Sequence, residues 1–331
     1  MFGGPNQWSY FDQIDYHANY LVGVGSSLDP AISGNAYTSN NWRPVIIAYS
    51  SSNFDYQWGK IFDVTDQGFY GVKINRYGDK VAVSSQYKNL YIIVLNIANG
   101  NILSTTHLTT IDNSNKYHRK LLLLDTGDIL LGDNVNIYKI DPSNPTAALK
   151  YTTTNYKTIW LQNSSDEVYL HVFQLNSAQN KCLISIVFTA NLTSIHQNEV
   201  QCTGTELNQN LQMGYCKLTQ QEDLIVFQIG TKFFRIITEY LVGFPHTASM
   251  MKDSSNPDLQ AKGLLCINAS ILYSLMYGNY ATQSNRLLIA EANFQTNKIT
   301  YRRYLQAATE INIGVIYEFD KFFIASSGQN I

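Results

Sequence analysis

Hydrophobic positions along this chain fall into short runs of five to nine residues, rich in Val, Ile, Tyr and Phe. Gly, Asn, Asp and Ser break them, which is how strands and their turns read. Phe69–Ile74, Lys80–Val83, Leu90–Leu95, Lys120–Leu124, Ile129–Leu131 and Val135–Ile140 are examples. No stretch of ten residues keeps a 3.6-residue apolar period between caps. The scarce prolines sit in connectors such as Asp141-Pro142-Ser143-Asn144-Pro145. The pattern predicts an all-β chain.

The strands repeat. Gly78-Asp79-Lys80-Val81-Ala82-Val83-Ser84-Ser85 is matched by Gly127-Asp128-Ile129-Leu130-Leu131-Gly132-Asp133. Similar units follow at Asp166–Leu170, Glu222–Val226 and Phe319–Ser327, with a variant at Asn268-Ala269-Ser270. Each is a polar turn leading into a short apolar strand. The spacing from Asp79 to Asp320 is about 48 residues per repeat. One repeat divides into four strands, a to d from the inside out: Phe69–Ile74, Lys80–Ser84, Leu90–Ile97 and Ile102–His107. The next divides into Lys120–Asp125, Asp128–Leu131, Asn136–Ile140 and Ala147–Tyr151. Four-stranded antiparallel units at this period predict a β-propeller.

The segments Gly127–Asp133 with Ile137-Tyr138-Lys139-Ile140-Asp141, and Gly78–Val81 with Leu90–Asn96 and Gly100-Asn101-Ile102-Leu103, resemble the repeats of the quinoprotein-like and YVTN-like propeller superfamily. The resemblance runs over most of the chain as a pattern and is specific for fold. The chain carries no Trp-Asp dipeptide like WD40 blades, no double Gly like kelch blades, and no recurring blade Trp like true quinoproteins. No cofactor is therefore implied.

Outer strands beginning near Trp58, Asn101, Ala147, Leu192, His246 and Asn297 count six blades. Gln7-Trp8-Ser9-Tyr10-Phe11-Asp12 echoes Gln57-Trp58-Gly59-Lys60-Ile61-Phe62-Asp63, fifty residues on. This favours an N-terminal outer strand closing a seventh blade with Ile311–Tyr317 and Lys321–Ser327, which would hide the open edge of the ring. The alternative makes Trp8–Gln13 the first inner strand of blade one. Residues 1–331 then form a single seven-bladed propeller domain, with a last blade that reads as part of a longer chain.

Composition narrows the function. Charged residues are 15% and the net charge is -2, so there is no basic footprint for nucleic acid. Asn, Gln, Ser and Thr take the surface role, as in secreted or surface-exposed β proteins. No apolar run is long enough to span a bilayer. No secretory signal is visible at Met1–Gln7, so a secreted reading makes the chain a mature form or a piece of a longer one.

The scan for chemistry returns little. His17, His107, His118, His171, His196 and His246 show no zinc spacing, and there is no nucleophile elbow or phosphate loop. Asp125-Thr126-Gly127-Asp128 has the acids of a calcium loop without its third and fourth, which favours a turn. The pairs Asp12/Asp15 and Asp63/Asp66 read as equivalent connectors, closer to repeat-derived caps than to a hydrolytic pair. Tyr37, Trp42 and Tyr56 are candidates to stack on sugars, against packing as the commoner role.

Two signals remain. Asn163-Ser164-Ser165, Asn191-Leu192-Thr193 and Asn268-Ala269-Ser270 are open N-glycosylation sequons, expected at a–b, c–d and a–b turns, hence at one face. Cysteines are even in number. Cys182 and Cys202 are expected at one end of a blade, at disulfide distance, and Cys216 and Cys266 on inner strands of consecutive blades. Four buried thiols are the alternative.

These features favour a non-enzymatic protein-interaction or structural domain of a surface or extracellular glycoprotein, with protein partners or self-assembly and N-linked glycans. An intracellular scaffold of a cytoskeletal or ciliary complex is the alternative, and a glycan-binding or glycan-hydrolysing propeller the second. With glycans on the a–b and c–d turns, the partner is expected at the other end, on the Ser27–Trp42 connection and its Tyr37, Trp42 and Arg43.

Overall fold

A computed structural model describes residues 9–17, 19–28, 42–62, 68–85, 90–108, 121–133, 135–145, 149–164, 166–176, 178, 181–201, 211–217, 222–229, 231–239, 246–256, 258–280, 283–306, 312–318 and 321–327.

Every regular element among them is a strand, and the strands form successive meanders. The first sheet holds β1 (Ser9–His17), β2 (Tyr20–Ser27), β3 (Arg43–Ser50) and β4 (Tyr56–Ile61). The second holds β5 (Phe69–Ile74), β6 (Lys80–Ser85), β7 (Leu90–Asn96) and β8 (Ile102–Leu108). The third holds β9 (Leu121–Leu123), β10 (Ile129–Gly132), β11 (Asn136–Ile140) and β12 (Leu149–Thr152). The fourth holds β13 (Lys157–Asn163), β14 (Tyr169–Asn176), β15 (Lys181–Phe188) and β16 (Ser194–Gln201). The fifth holds β17 (Leu211–Lys217), β18 (Glu222–Ile229), β19 (Lys232–Glu239) and β20 (His246–Lys252). The sixth holds β21 (Gln260–Cys266), β22 (Ile271–Tyr280), β23 (Gln283–Asn293) and β24 (Lys298–Gln306). Two strands, β25 (Asn312–Glu318) and β26 (Lys321–Ser327), make the last sheet.

The predicted closure by the N-terminal strand is corrected here. β1 pairs along its length with β2, from Ser9 opposite Ser27 to His17 opposite Tyr20. It is the inner strand of blade one, and the six four-stranded blades among the described residues are not raised to seven by it. A tight hairpin pairs eight residues at almost no loop-closure cost, which a partner some three hundred residues away cannot match. Asp12 and Asp15 accordingly lie on an inner strand, not in a connector like that of Asp63 and Asp66, which fall outside the described residues.

The chain divides into two compact units, the first made of Met1–Asn163, Val172–Leu175 and Val187–Ile195 and the second of the remainder. In the first, Val81 and Val83 of β6 pack with Val22, Val24, Ile46 and Phe69. Ala82 between them packs on the other side with Leu121, Leu123, Ile129 and Leu131. Neighbouring positions of one strand thus face two different cores. This is why middle strands read as unbroken apolar runs where a half-exposed sheet would alternate. In the second unit, Leu224, Val226 and Phe233 pack with Leu264, Leu272, Met276 and Leu288 by the same logic.

Candidate functional site

Polar side chains tie the inner strands of the first unit together. The Gln13 carboxamide oxygen accepts the Val72 N–H at 3.0 Å, and the Asp15 carboxylate accepts the Ile74 N–H at 2.7 Å. Lys73 lies 3.4 Å from the same carboxylate. Asp15 is a stitch between β1 and β5, satisfying backbone donors at a sheet edge.

The a–b turns continue this linkage. His17 at the blade-one turn packs on Gly78 of the blade-two turn, where the backbone is left-handed (φ 69°) and the His17 ring leaves no room for a Cβ. Arg76 of that turn reaches Asp125 of the blade-three turn at 2.6 Å and lies 5.3 Å from the centroid of the Tyr77 ring. Asp128 pairs with Lys139 at 3.2 Å. Both acids of the calcium-like tetrapeptide are thus engaged by cations, and the Asp128 N–H bonds Thr126 within the turn. Among the described residues no group of three His, Cys, Asp or Glu is placed to hold a metal ion. His171, fully buried on β14, is held down at about 4 by burial, so it is a neutral core residue at physiological pH.

Of the expected partner residues, Tyr37 lies outside the described residues, and Trp42 is half-buried. Arg43 opens β3 opposite Ser27 and is only 8% exposed. Its backbone continues the sheet, and its side chain is turned in.

The exposed large side chains collect elsewhere. Phe54, Tyr56, Tyr77, Ile102, Leu103, Leu149 and Phe188 of the first unit stand at a–b or c–d turns, or on the first residues beyond them, whereas Val135 stands at a b–c turn. Antiparallel pairing puts those turns at one end of each sheet. Ser51 N–H donates to Asn19 O at 3.0 Å, joining the two turns of blade one, and Arg76–Asp125 joins those of blades two and three. Tyr77 is the most open, at 67%. Among these only Tyr56 stood out in the sequence. The others read as strand or turn residues like any other.

Two of the three sequon asparagines lie in turns. Asn191 and Asn268 are exposed in the β15–β16 and β21–β22 turns, and their side-chain oxygens accept the N–H of Thr193 (3.0 Å) and Ser270 (2.8 Å). Asn163 ends β13 half-buried, beside a Ser164 buried against Asp166. Cys216 of β17 and Cys266 of β21 are bonded, with Cα atoms 5.7 Å apart and a sequence separation of 50. Cys182, buried on β15, is also disulfide-bonded, and Cys202 lies outside the described residues.

No family model and no curated protein matches the chain. Solved structures do match it. The propeller domain of Cps50 (Swd1) from Myceliophteria thermophila aligns with a TM-score of 0.61 at 9% identity, covering 94% of this chain and 90% of that one. The fold is a β-propeller. A chain of the mitotic checkpoint complex aligns with this propeller at 0.57 and 11% identity, covering 91% of the one and 82% of the other. A chain of Kuenenia stuttgartiensis hydrazine synthase aligns at 0.56 and 10% identity, covering 93% and 99%. Identities this low speak for the propeller fold alone.

Proposed function

We propose that this propeller is a non-enzymatic interaction domain of a surface or extracellular glycoprotein or assembly, and that it binds protein through the a–b turn end of blades one to three. The observation that carries this is the gathering of exposed Tyr77, Arg76, Ile102 and Leu103 at one end of the first unit. Aromatic and Arg side chains are the types that anchor interfaces. Arg76 is already oriented by Asp125, which lowers the entropy lost on docking. Of the acids that suggested catalysis or calcium, Asp15, Asp125 and Asp128 are taken up by structural partners. One propeller of similar fold belongs to the mitotic checkpoint complex, an assembly of proteins.

The extracellular part rests on the bonded cysteines and the exposed Asn191 and Asn268. Glycans on Asn191 would decorate blade four and leave the turns of blades one to three open. Intact-mass analysis of the native protein, with and without deglycosylation and reduction, tests it. Glycan mass on Asn191 and Asn268, with Cys216 bonded to Cys266, is the expected result. Unmodified Asn residues with free thiols would move the propeller to an intracellular scaffold. Cross-linking of the native assembly with Tyr77→Ala then tests the surface: partner cross-links to the blade-two turn are expected to be lost.

A further inference from the structure

The three carbonyls of the blade-six sequon are each held by a different part of the fold. The Asn268 carbonyl oxygen stands 3.7 Å from Cys266 Sγ, a sulfur of the disulfide. The Ala269 carbonyl accepts from the Arg235 guanidinium of β19. The Ser270 carbonyl accepts the Phe294 N–H, from the β23–β24 turn, at 2.7 Å. Arg235 also lies 4.8 Å from the centroid of the Phe294 ring, so two of these anchors brace each other.

The sequon side chain is engaged as well. Asn268 Oδ1 accepts the N–H of Ser270 at 2.8 Å and that of Ile271 at 3.0 Å. The Asn268 N–H donates to Ile271 O at 3.4 Å. The residue is exposed, yet its carboxamide and backbone are closed into one turn.

Attachment of a glycan makes demands that this turn does not meet. Asn268 Nδ2 must bond the anomeric carbon of an oligosaccharide while the bond from that carbon to the diphosphate of a lipid carrier breaks. The carrier leaves with the electron pair, and one amide proton passes to a base of the transferase. An amide nitrogen is a weak nucleophile, because its lone pair is shared with the carbonyl. The transferase must therefore grip and reorient the whole sequon. A sequon drawn into a cleft has to leave its turn, and here that breaks bonds to β19 and to the β23–β24 turn.

The disulfide governs whether that release is open. Cys266, two residues before Asn268, is bonded to Cys216 on β17 of the preceding blade. Without that bond, opening the turn displaces one hairpin. With it, the strand entering the sequon is tied covalently to the neighbouring sheet. The Asn191 sequon is built otherwise: Leu192 N–H donates to Phe188 O and Phe188 N–H to Thr193 O, across a hairpin that the Cys216–Cys266 bond does not touch.

We propose that oxidation of Cys216 and Cys266 sets a deadline for modification of Asn268, which accepts a glycan while both are thiols and is closed to it once they are bonded. The two thiols lose their protons and two electrons by exchange with the disulfide of a protein oxidant. Chains that oxidise early keep a bare Asn268, and chains that oxidise late carry the glycan. The proposal rests on the extracellular reading above, because it needs a compartment that holds both transferase and oxidant.

Transfer in vitro tests it. The full chain, folded and oxidised but free of glycan, is incubated with an oligosaccharyltransferase and a lipid-linked oligosaccharide, and each site is read by peptide mass. Transfer to Asn268 should be at least about tenfold faster in the Cys216→Ala, Cys266→Ala double variant than in the parent. Equal transfer to Asn191 in the two proteins shows that the rest of the fold is kept. Arg235→Gln retains the disulfide and removes only the Ala269 anchor, so it should gain less than the double variant. Equal Asn268 rates in parent and double variant, whether high or nil, would overturn the proposal. So would an Arg235→Gln gain as large as that of the double variant, since hydrogen bonds and not the disulfide would then set the limit. The native protein reports separately on the extracellular reading: bare Asn191 with free thiols would remove that reading and leave the rate comparison as it is.

Discussion

The indole N–H of Trp58 donates to the carbonyl of Ile97 at 2.6 Å, and the ring lies against Gly100, where a Cβ would stand 2.6 Å from Cε3. One tryptophan on the outer strand of blade one thereby clamps the c–d turn of blade two. Its burial joins two sheets that share no hydrogen-bond ladder.

Gly100→Ala should be costly for two independent reasons. The left-handed backbone (φ 70°) strains any L side chain, and the added methyl meets the Trp58 ring. Strain and overpacking together predict a loss of about 2–4 kcal/mol. Trp58→Phe should cost less from hydrogen bonding alone, about 1 kcal/mol, plus the volume it vacates. Urea unfolding of both variants gives the order, and a Gly100→Ala protein as stable as its parent would rule the clamp out.

Phe54→Asn should go the other way and stabilise the fold by about 0.5–1 kcal/mol, since it relieves left-handed strain without removing a buried contact. Leu192→Asn has the same backbone geometry but empties a buried position, so it should destabilise by about 2 kcal/mol. Opposite signs for the two substitutions, read from denaturant midpoints, are the expected outcome.

The Cys216–Cys266 bond closes a loop of 50 residues. On the chain-entropy account a loop of that length is worth about 4 kcal/mol, and measured values for native bridges lie in the range of about 2–5 kcal/mol. Replacing both residues with Ala should lower stability by that amount, with no change in the four-stranded sheets β17–β20 and β21–β24. The difference between parent and double variant in thermal unfolding should disappear in reductant, which also opens the bond at Cys182 in both proteins.

His171 sets an acid limit on stability. Burial lowers its folded value to about 4, below the unfolded value of 6.5, and nearby Asp166 offsets this only in part. Between those values the unfolded chain binds a proton that the folded chain does not. Stability is therefore full above pH 6.5 and falls as pH drops toward 4, by about 3 kcal/mol over that window. A His171→Gln variant should lose this part of the pH dependence. If its stability curve parallels that of the parent from pH 7 to 4, His171 is not the group responsible.

Local pattern was enough to place most strands of blades two and three. Phe69–Ile74 and Asn136–Ile140 coincide with β5 and β11 to the residue, and β6, β8 and β10 agree within one at each end. Apolar runs and turn residues act within a few positions of themselves, so the chain carries that information locally. The same locality put Cys216 and Cys266 on inner strands, and Asn191 and Asn268 in turns.

What tertiary structure decided was pairing and exposure. The Gln7-Trp8 echo of Gln57-Trp58 resembled a repeat, yet β1 is an inner strand and β4 an outer one. Two strands of the same composition differ only in which neighbour they find, and a hairpin at hand outcompetes a distant edge. Arg43 and Phe54 each face the direction opposite to what residue type suggests, for a related reason. A charged residue at a strand start was turned inward by its register opposite Ser27, and an apolar one was turned outward by a left-handed turn. Neither direction is a property of the residue. Each follows from the backbone conformation and the neighbours that the assembled sheet imposes.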